Sequence, residues 1–499
     1  MSFKPSAYQQ AVYDHITNGK GNAVIDAVAG SGKSTTIVNA LKLIPNTLRV
    51  LFLAFNKAIV EELKIKVGQQ DNAKISTLHS LGFGLLRNTL QRVTLDNRKY
   101  LDYVKNGLKY KSIRPTVQLS YEQFDVYKEN ILTLIDLARV NLCNGVEELS
   151  DIANKYDVLP IDNEFEVVFN AIDWGKSNTK IIDYTDMIYL PNVLNIDFRK
   201  EQYDYVFIDE CQDLNAAQRE MFLKTVKPQT GRFVAVGDPR QAIYGFAGAD
   251  VHSFELLKAI PNTTLLPLSV CYRCDSDIID LAKTIVPQIE ARDNAEKGVI
   301  EQSASYKDIK DGDMVLCRVT APLVQMCMRY IAEGVKAYVK GRDIGVNLIN
   351  LIKKTNRNNM TDVMDRLAHQ HELLANNIAK KKRIELHEAR TESAYTAMAD
   401  KIAVIAIISE GLTTANEVMR RIENIFKDDQ KQGICLSTIH KAKGLESERV
   451  YILRRDKMFL PHCMRIDWMA EQEYNLAYVA YTRAKKYLGF ITDFAMDDE

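Results

Sequence analysis

The sequence predicts an α/β protein with two parallel β-sheets, each interrupted by a mainly helical segment. Short apolar runs at 50–55, 205–208 and 233–236 alternate with helical patterns, as in sheets whose strands are buried on both faces. A second set follows at 314–317, 434–438 and 450–453. By contrast, residues 90–180 and 352–430 show helical periodicity with few strand-like runs, and 360–410 contains no proline or glycine.

Composition places the chain among ordinary globular proteins. Its 499 residues leave room for several domains, and no apolar run has the length needed to span a bilayer. The 65 basic and 65 acidic residues cancel, which excludes a basic coat over the whole surface but not a local basic groove. Eight scattered cysteines indicate a reducing compartment, and the N-terminus lacks the apolar core of a signal peptide. We therefore expect a cytoplasmic protein with no membrane partner.

The segment 27–35 has the strand–loop–helix context of a phosphate-binding loop. Its glycines allow backbone N–H groups to turn toward a triphosphate, at the positive end of the following helix. Lys33 would reach the β- and γ-phosphates, and the Ser34 hydroxyl would bind Mg²⁺. A simple turn between strand and helix would not need the Gly-Lys-Ser sequence. The expected nucleotide contacts are Ala29, Gly30, Ser31, Gly32, Lys33, Ser34 and Thr35.

An acidic pair directly follows the strand-like run 205–208. A carboxylate at that edge, Asp209, can hold Mg²⁺ beside the phosphate loop, and Glu210 can accept a proton from an attacking water. Taken alone, such a pair is often only the start of a loop. Together with the phosphate loop, it predicts a site that hydrolyses a nucleoside triphosphate.

An ordered set of further motifs makes a family resemblance specific. The chain resembles superfamily 1 DNA helicases of the UvrD/Rep type, and Phe55-Asn56-Lys57-Ala58 is also similar to the F-box-type DNA helicases of that group. The resemblance rests on Asp209-Glu210-x-Gln212-Asp213, Gly237-Asp238-Pro239-Arg240-Gln241-Ala242-Ile243-Tyr244-Gly245-Phe246, Cys271-Tyr272-Arg273, Thr438-x-His440-x-Ala442-Lys443-Gly444-Leu445-Glu446 and Glu473-x-Asn475-x-x-Tyr478-Val479-Ala480-x-Thr482-Arg483-Ala484.

This resemblance implies a fold and a division into four subdomains. Two RecA-like domains of the P-loop NTPase class would each carry a helical insert. The expected ranges are 1–90 with 181–265 for domain 1A, 91–180 for insert 1B, 266–351 with 431–499 for domain 2A, and 352–430 for a small insert 2B.

The resemblance also implies roles around the γ-phosphate. Gln241 would contact that phosphate and report its presence to the DNA side. Arg273 and Arg483 would act as arginine fingers supplied by the second domain, since guanidinium groups stay charged and bind phosphate oxygens bidentately. A surface salt bridge is the alternative for either arginine alone, but the family has arginine at both positions, which favours the functional role.

Four further residues are implied at the base and the sugar. Tyr272 would stack on adenine, and Glu446 would meet the ribose or the phosphates. Gln9 would read the adenine edge, with its neighbour Gln10 as the alternative. A solvated helix start explains this short glutamine segment nearly as well.

The expected DNA contacts combine aromatic rings with small polar groups. Aromatic faces stack on unpaired bases, while hydroxyl, amide and imidazole groups hold the backbone. Burial in the core is the alternative for each aromatic residue. Ala247 stands where the family has arginine, and the aromatic Phe55 is shifted by one position. The candidates are Phe55, Asn56, Thr77, His79, Tyr244, Phe246, Thr438 and His440.

The implied activity is an ATP- and Mg²⁺-dependent helicase that moves 3′ to 5′ on single-stranded DNA and opens duplex at single-strand/duplex junctions. DNA repair, recombination or replication would be its setting. One alternative is a translocase that displaces bound proteins and unwinds poorly. A second is an inactive nucleotide-dependent DNA-binding module, and the motifs leave RNA open as a substrate.

Overall fold

The computed structural model describes residues 4–68, 70–90, 92–245, 248–250, 252–428 and 432–494. The chain forms two compact units: the first ends at Ser269, the second begins at Val270, and Ala29–Ser31 group with the second. The predicted α/β class with two parallel sheets is confirmed. The finer division into four subdomains stays a prediction.

The first unit alternates strands with helices along the chain. Its strands are β1 (Asn22–Ala27), β2 (Val50–Ala54), β3 (Ala73–Thr77), β4 (Thr94–Leu95), β5 (Ile181–Ile182), β6 (Tyr205–Ile208), β7 (Arg232–Gly237) and β8 (Thr263–Leu268). Its helices are α1 (Ala7–Asn18), α2 (Lys33–Lys42), α3 (Lys57–Val67), α4 (Leu78–Thr89), α5 (Lys99–Lys109), α6 (Tyr121–Val140), α7 (Val146–Lys155), α8 (Glu164–Ser177), α9 (Asp186–Val193), α10 (Ala216–Lys224) and α11 (Ser253–Lys258).

The main sheet of this unit has the order β3-β2-β6-β7-β1-β8, with all neighbours parallel. Its central strands are buried on both faces because helices cover each side. Phe52 and Phe207 stack in parallel on one face, with ring centroids 6.1 Å apart. Leu53 and Ile208 belong to the core on the opposite face. Burial on both faces explains why β2 and β6 read as continuous apolar runs.

Helices α5–α8, which we call the first insert, lie between β4 and β5 in sequence. The short strands β4 and β5 pair with each other where the chain enters and leaves the insert. The insert has its own core, in which Tyr127, Ile131 and Ile135 of α6 are fully buried. This agrees with the helical periodicity of that segment.

The second unit repeats the alternation. Its strands are β9 (Val270–Cys271), β10 (Glu290–Ala291), β11 (Val299–Ala304), β12 (Met314–Cys317), β13 (Ala337–Lys340), β14 (Ile434–Thr438), β15 (Ser447–Ile452) and β16 (Ala484–Ile491). Its helices are α12 (Ser276–Lys283), α13 (Ala321–Ala332), α14 (Arg342–Lys354), α15 (Met360–Lys382), α16 (Leu386–Ala389), α17 (Ser393–Ser409), α18 (Ala415–Ile425) and α19 (Asp467–Tyr481).

The large sheet of the second unit has the order β11-β16-β15-β12-β14-β13, again with parallel neighbours. The apolar runs predicted β12, β14 and β15 closely. The outer strand β11 was not predicted, because a strand at the sheet edge is half exposed and its sequence, Val-Ile-Glu-Gln-Ser-Ala, is mixed in polarity.

Helices α15–α18 form the second insert, and α15–α17 occupy the segment without proline or glycine. α15 ends at Lys382 and is capped by Arg383, whose φ of 53° is left-handed, and α17 packs back against α15. Apolar side chains of the insert, such as Val404 and Ile405, share one core with Leu323 and Val324 of α13. The Asp400 carboxylate of α17 accepts hydrogen bonds from Ala321 N (2.9 Å) and from the preceding Thr320 N (3.1 Å). The insert is therefore anchored to the second sheet at the start of α13.

Among the helices of the described residues, none is both long enough and apolar enough to cross a bilayer.

Candidate nucleotide and DNA site

The carboxyl ends of five neighbouring strands in the first sheet carry most of the predicted site. Because all five strands are parallel, these ends lie along one edge. Ends that are four strand spacings apart are separated by about 19 Å. Across the sheet, the segments at these strand ends are Thr77–His79 from the last residue of β3 onward, Phe55 and Asn56 after β2, Asp209 and Glu210 after β6, Asp238–Gln241 after β7, and the phosphate loop after β1.

The phosphate loop has the backbone that anion binding requires. Gly30 and Gly32 have φ values of 67° and 78°, a region that glycine enters without strain. α2 begins at Lys33, and Gly32 at its N-cap has no side chain to cap the first N–H groups. Ser31 Oγ is buried and has no hydrogen-bond partner among the described residues. These donors at a helix N-terminus suit a phosphate group.

A network of hydrogen bonds joins the acidic pair to the Gln241 segment. Gln212 lies between them: its Nε2 donates to Glu210 Oε2 (2.5 Å), and its Oε1 accepts from Asp238 N (3.1 Å). Asp238 Oδ2 in turn accepts from Gln241 Nε2 (2.6 Å). Burial raises the pKa of the Asp238 carboxyl, while Lys33 and the Gln241 amide act to lower it. Gln212 and Asp238 therefore link the predicted base, Glu210, to the predicted phosphate sensor, Gln241, in one hydrogen-bond network.

Gly237, the last residue of β7, allows this network to form. A Cβ added there would overlap Gln212 Oε1 and lie 2.8 Å from Cys211 Sγ. Gln212 itself is 1% exposed, so it has little room to move. Only glycine therefore fits between the two arms of the network.

Asp26, the next-to-last residue of β1, is a carboxyl that no sequence motif indicated. It pairs in register with Gly237 on β7, next to Asp238. Burial, and then the neighbouring Asp238, raise the pKa of Asp26 to about 6, although Lys33 acts in the opposite direction. Asp26 Oδ1 has no hydrogen-bond partner among the described residues. Two acidic groups therefore lie beside the lysine of the phosphate loop.

Ser34 and Asp209 present a hydroxyl and a carboxylate, which are oxygen ligands of the kind that Mg²⁺ prefers. Asp209 is 7% exposed, and its Oδ1 accepts a hydrogen bond from Glu210 N (2.9 Å). Mg²⁺ that binds with a nucleotide keeps several waters and takes further ligands from phosphates, so a protein supply of one or two oxygens fits it.

Gln9 and Gln10 have different surroundings. Gln9 is 3% exposed, and its Nε2 donates to Thr36 Oγ1 of α2 (3.1 Å) while its Oε1 accepts from Ser6 N (3.0 Å). Gln10 is exposed and donates to Asp14. Of the two glutamines, Gln9 is the one next to the helix that follows the phosphate loop.

The small polar DNA candidates of the first unit also cap helices. Asn56 Oδ1 accepts from Ile59 N at the start of α3 (3.0 Å), and Thr77 Oγ1 accepts from Ser80 N at the start of α4 (3.1 Å). Phe55, by contrast, is 47% exposed beside them. An exposed phenyl ring at this edge is available for stacking.

His79 has an aromatic neighbour that sequence reasoning missed. The Tyr184 ring meets the His79 ring edge-on, with centroids 6.3 Å apart, and Tyr184 is 54% exposed. Burial lowers the pKa of His79, so its imidazole stays neutral. The available signal was the sequence Asp183-Tyr184-Thr185-Asp186, where two acids flank an aromatic residue.

The third motif is only partly described. Tyr244 is half-buried, and burial, with Asp213 and Glu210 nearby, raises its pKa to about 12. Tyr244 thus lies near the acidic segment. Phe246 and Ala247 lie outside the described residues.

In the second unit, the two predicted arginine fingers share neighbouring partners. Arg273 Nε forms an ion pair with Glu446 Oε2 (2.6 Å), and its Nη1 donates to Thr482 O (3.2 Å). Arg483 is 1% exposed, and its guanidinium donates to Leu445 O and Val479 O, both at 3.0 Å. Each arginine therefore contacts one residue of the 445–446 turn. The second partner is Val479 of α19 for Arg483, and Thr482, which follows α19, for Arg273.

The remaining second-unit candidates divide into exposed and enclosed residues. Tyr272 is 42% exposed, whereas Thr438 is 8% exposed at the end of β14. Burial, assisted by Arg318 and Lys441, lowers the pKa of His440 to about 3 and keeps its ring neutral. Near that ring, Arg318 binds Glu473 of α19 through Nη2 (2.8 Å).

Comparison with known proteins decides the family. A family model described as the UvrD/REP helicase N-terminal domain matches residues 8–260. The chain belongs to the UvrD/Rep helicase family. The match covers all the first-unit motifs of the phosphate loop, the acidic pair and the Gln241 segment.

Curated UvrD/Rep-type relatives show moderate similarity. The ATP-dependent DNA helicase Rep of Buchnera aphidicola subsp. Baizongia pistaciae is 24% identical over 286 residues, which is 53% of this chain and 41% of the relative. The ATP-dependent DNA helicase PcrA of Bacillus subtilis is 27% identical over 294 residues, 53% of this chain and 37% of the relative. The F-box DNA helicase protein 1 of Schizosaccharomyces pombe is 24% identical over 502 residues, 93% of this chain and 55% of the relative. The chain thus spans about two-fifths to about half of these relatives.

Proposed function

We propose that this chain is an ATP-dependent DNA helicase that moves 3′ to 5′ along single-stranded DNA and opens duplex at junctions. Support comes from family membership and from the names of the relatives, which are DNA helicases and in two cases ATP-dependent. The polarity follows the resemblance to the UvrD/Rep type. We expect Mg²⁺ as the cofactor and the cytoplasm as the location.

The observation that carries this proposal is the arrangement along the carboxyl edge of the first sheet. The nucleotide candidates at this edge follow β1, β7 and β6, whereas the DNA candidates Phe55, Asn56 and His79 follow β2 and β3. Tyr244, a further DNA candidate, follows the Gln241 segment after β7. β6, which precedes Glu210, is the direct neighbour of β2, which precedes Phe55. A change at the phosphate end therefore has a short path to the DNA end through the sheet.

We propose the following chemistry for the residues of the first unit. Lys33 and the N–H groups at the start of α2 bind the phosphates, and Glu210 accepts a proton from the attacking water. Mg²⁺, held with Ser34 and Asp209, would supply charge neutralisation at the phosphate oxygens. Gln212 and Asp238 hold Glu210 and Gln241 in place through the hydrogen bonds given above.

We assign the residues of the second unit to the same reaction. Arg273 and Arg483 are the proposed arginine fingers, and Tyr272 is the proposed adenine contact. Burial acts to raise the pKa of Glu446, but Lys485 and Arg273 outweigh it and hold that pKa below its usual value. Glu446 is therefore ionised at neutral pH and can hold Arg273 until a phosphate competes for the guanidinium.

An unwinding assay with three duplexes tests the proposal. Labelled duplexes with a 3′ tail, a 5′ tail or an RNA tail are incubated with ATP and Mg²⁺, and strand separation is followed over time. We expect opening of the 3′-tailed DNA duplex only. Opening from the 5′ tail would contradict the polarity, and opening from the RNA tail would contradict the DNA preference.

Two further outcomes have defined meanings. DNA-stimulated ATPase without strand separation, together with release of streptavidin from a biotinylated strand, would identify a translocase that removes bound proteins. Nucleotide-dependent DNA binding with no ATP turnover would identify an inactive binding module. Lys33→Ala is the control in each assay, because loss of this lysine removes the main side-chain partner of the phosphates.

A further inference from the structure

The base of the first insert contains a cluster of buried charges that the proposed chemistry does not use. Arg139 of α6 and Asp186 at the start of α9 are both completely buried. Asp183 and Lys99 of α5 are 8% and 4% exposed. All four groups come together where the insert joins the first sheet unit.

Arg139 holds the loop between β5 and α9 by both ends. Its Nη1 and Nη2 donate to the two oxygens of Asp183, at 2.8 and 2.9 Å, and Nη1 also donates to Asp186 Oδ1 at 2.8 Å. Lys99 Nζ donates to the other Asp186 oxygen at 2.6 Å. The Asp186 N–H closes the loop onto Asp183 Oδ1 at 2.7 Å.

Between these two anchored carboxylates lies Tyr184. Its N–H donates to Asn97 Oδ1 at 3.2 Å, and its ring stands edge-on to His79 at the start of α4. The backbone of the loop is therefore fixed at residues 183, 184 and 186, while the tyrosine side chain points to solvent. This arrangement presents one aromatic ring in a defined orientation at the edge that carries Phe55.

Stability alone does not account for this network. Removing charges from water is expensive, and well-packed apolar side chains of similar volume often stabilise a core at least as well as buried ion pairs do. The planar Arg139 guanidinium also donates to Asp136 on the same helix, so it binds three carboxylates in all. Such a guanidinium fixes the direction of its partners, because its donors are rigidly arranged. Such geometry is useful where a neighbouring group has to be oriented precisely.

We propose that Arg139 is a positioning residue for DNA binding, which acts by fixing the 183–186 loop so that Tyr184 stands beside His79. The inference rests on the proposed function, since it requires single-stranded DNA along this edge. When DNA binds, the ring would already have the orientation needed for stacking on a base. Loss of the network would leave the ring in place but without a fixed orientation.

Kinetics with Arg139→Met, Tyr184→Ala and the double variant test this role. ATPase is measured without DNA and over a range of oligo(dT) concentrations. We expect each single variant to raise the DNA concentration for half-maximal ATPase by roughly 5- to 100-fold, the effect of losing about one stacked base. ATPase without DNA and kcat at saturating DNA should stay within twofold of the parent.

The double variant separates positioning from general stabilisation. If Arg139 acts through Tyr184, Arg139→Met should cause no further rise in the Tyr184→Ala background. If the fold-increases of the two single variants multiply in the double variant, the residues act independently and the proposal is overturned. It is also overturned if Arg139→Met does not change the DNA concentration for half-maximal ATPase. Arg139→Lys, which keeps one charge but not the fork, should lie between parent and Arg139→Met.

Two additional variants keep the test decisive. Lys128→Met removes a half-buried cation from the same helix, α6, and should leave the DNA concentration for half-maximal ATPase unchanged. If Arg139→Met does not fold, Asn97→Ala loosens the same loop at the surface, and we expect a rise of about 2- to 5-fold, near the loss of one neutral hydrogen bond. No rise in Asn97→Ala would then refute the positioning role. If DNA does not stimulate the ATPase activity of the parent protein, the proposed function is refuted instead.

Discussion

Replacing Asp26 by Asn should stabilise the first unit in a pH-dependent way. The pKa of Asp26 is raised from 3.8 to about 6 by burial and by Asp238. As pH rises through 3.8, the unfolded chain ionises this carboxyl but the folded chain does not. Stability is therefore lost between pH 3.8 and about 6, and the full penalty is present above pH 6.

The size of the penalty follows from the same two pKa values. A difference of about 2 corresponds to roughly 3 kcal/mol, which is an upper bound. Because Asp26 is only half-buried, solvent screens part of this, and we expect about 1–2 kcal/mol at pH 8. Asn cannot ionise, so Asp26→Asn should recover this amount at pH 8 and nothing below pH 3.8.

Urea unfolding followed by tryptophan fluorescence measures the effect in the correct unit. The chain has two tryptophans, Trp174 in the first unit and Trp468 in the second, so a Trp468→Phe background leaves a single reporter. Asp71→Asn, at an exposed carboxyl, is the matched control and should be neutral. A gain for Asp26→Asn that is equal at pH 4 and pH 8, or a loss at pH 8, would refute the electrostatic explanation.

Three further predictions concern hydrolysis. Glu210→Gln should keep ATP binding but lower kcat by about 10²- to 10⁴-fold through loss of the general base. Glu220→Gln, at an exposed carboxylate, is the control. Turnover at the parental rate in saturating single-stranded DNA would show that Glu210 is not the general base. Arg273→Ala should leave nucleotide affinity near the parent value and lower kcat on the order of 10³-fold, as for other arginine fingers; a fluorescent-nucleotide titration beside the ATPase assay checks both parts. Gly237→Ala should destabilise the first unit by about 1–3 kcal/mol and depress ATPase, because the added methyl displaces Gln212; a fully active, equally stable Gly237→Ala protein would show that the network is adaptable.

The sequence predicts strands accurately where the strands are completely buried. β2, β6 and β12 are buried at every position, and each reads as a continuous apolar run. β11 and β13 were not anticipated, because edge strands or short strands carry polar residues on an exposed side. Local pattern reports burial, and burial is partial at the edge of a sheet.

Contacts between side chains far apart in sequence were beyond local patterns. The ion pair of Arg139 with Asp183 spans 44 residues, and no periodicity relates them. Gln212 can link Glu210 to Asp238 because β6 pairs with β7, and no local sequence pattern indicates that pairing. Lys33 and Glu210, in contrast, could be proposed from the sequence, because each lies in a short segment whose chemistry is local.

Residues 318–320 form a short mechanical link within the second unit. Arg318 forms an ion pair with Glu473 of α19. Two residues later, Thr320 N donates a hydrogen bond to Asp400 of the second insert. α19 leads directly to Arg483. A displacement of the insert would therefore act through three backbone residues on the helix that precedes the proposed arginine finger Arg483.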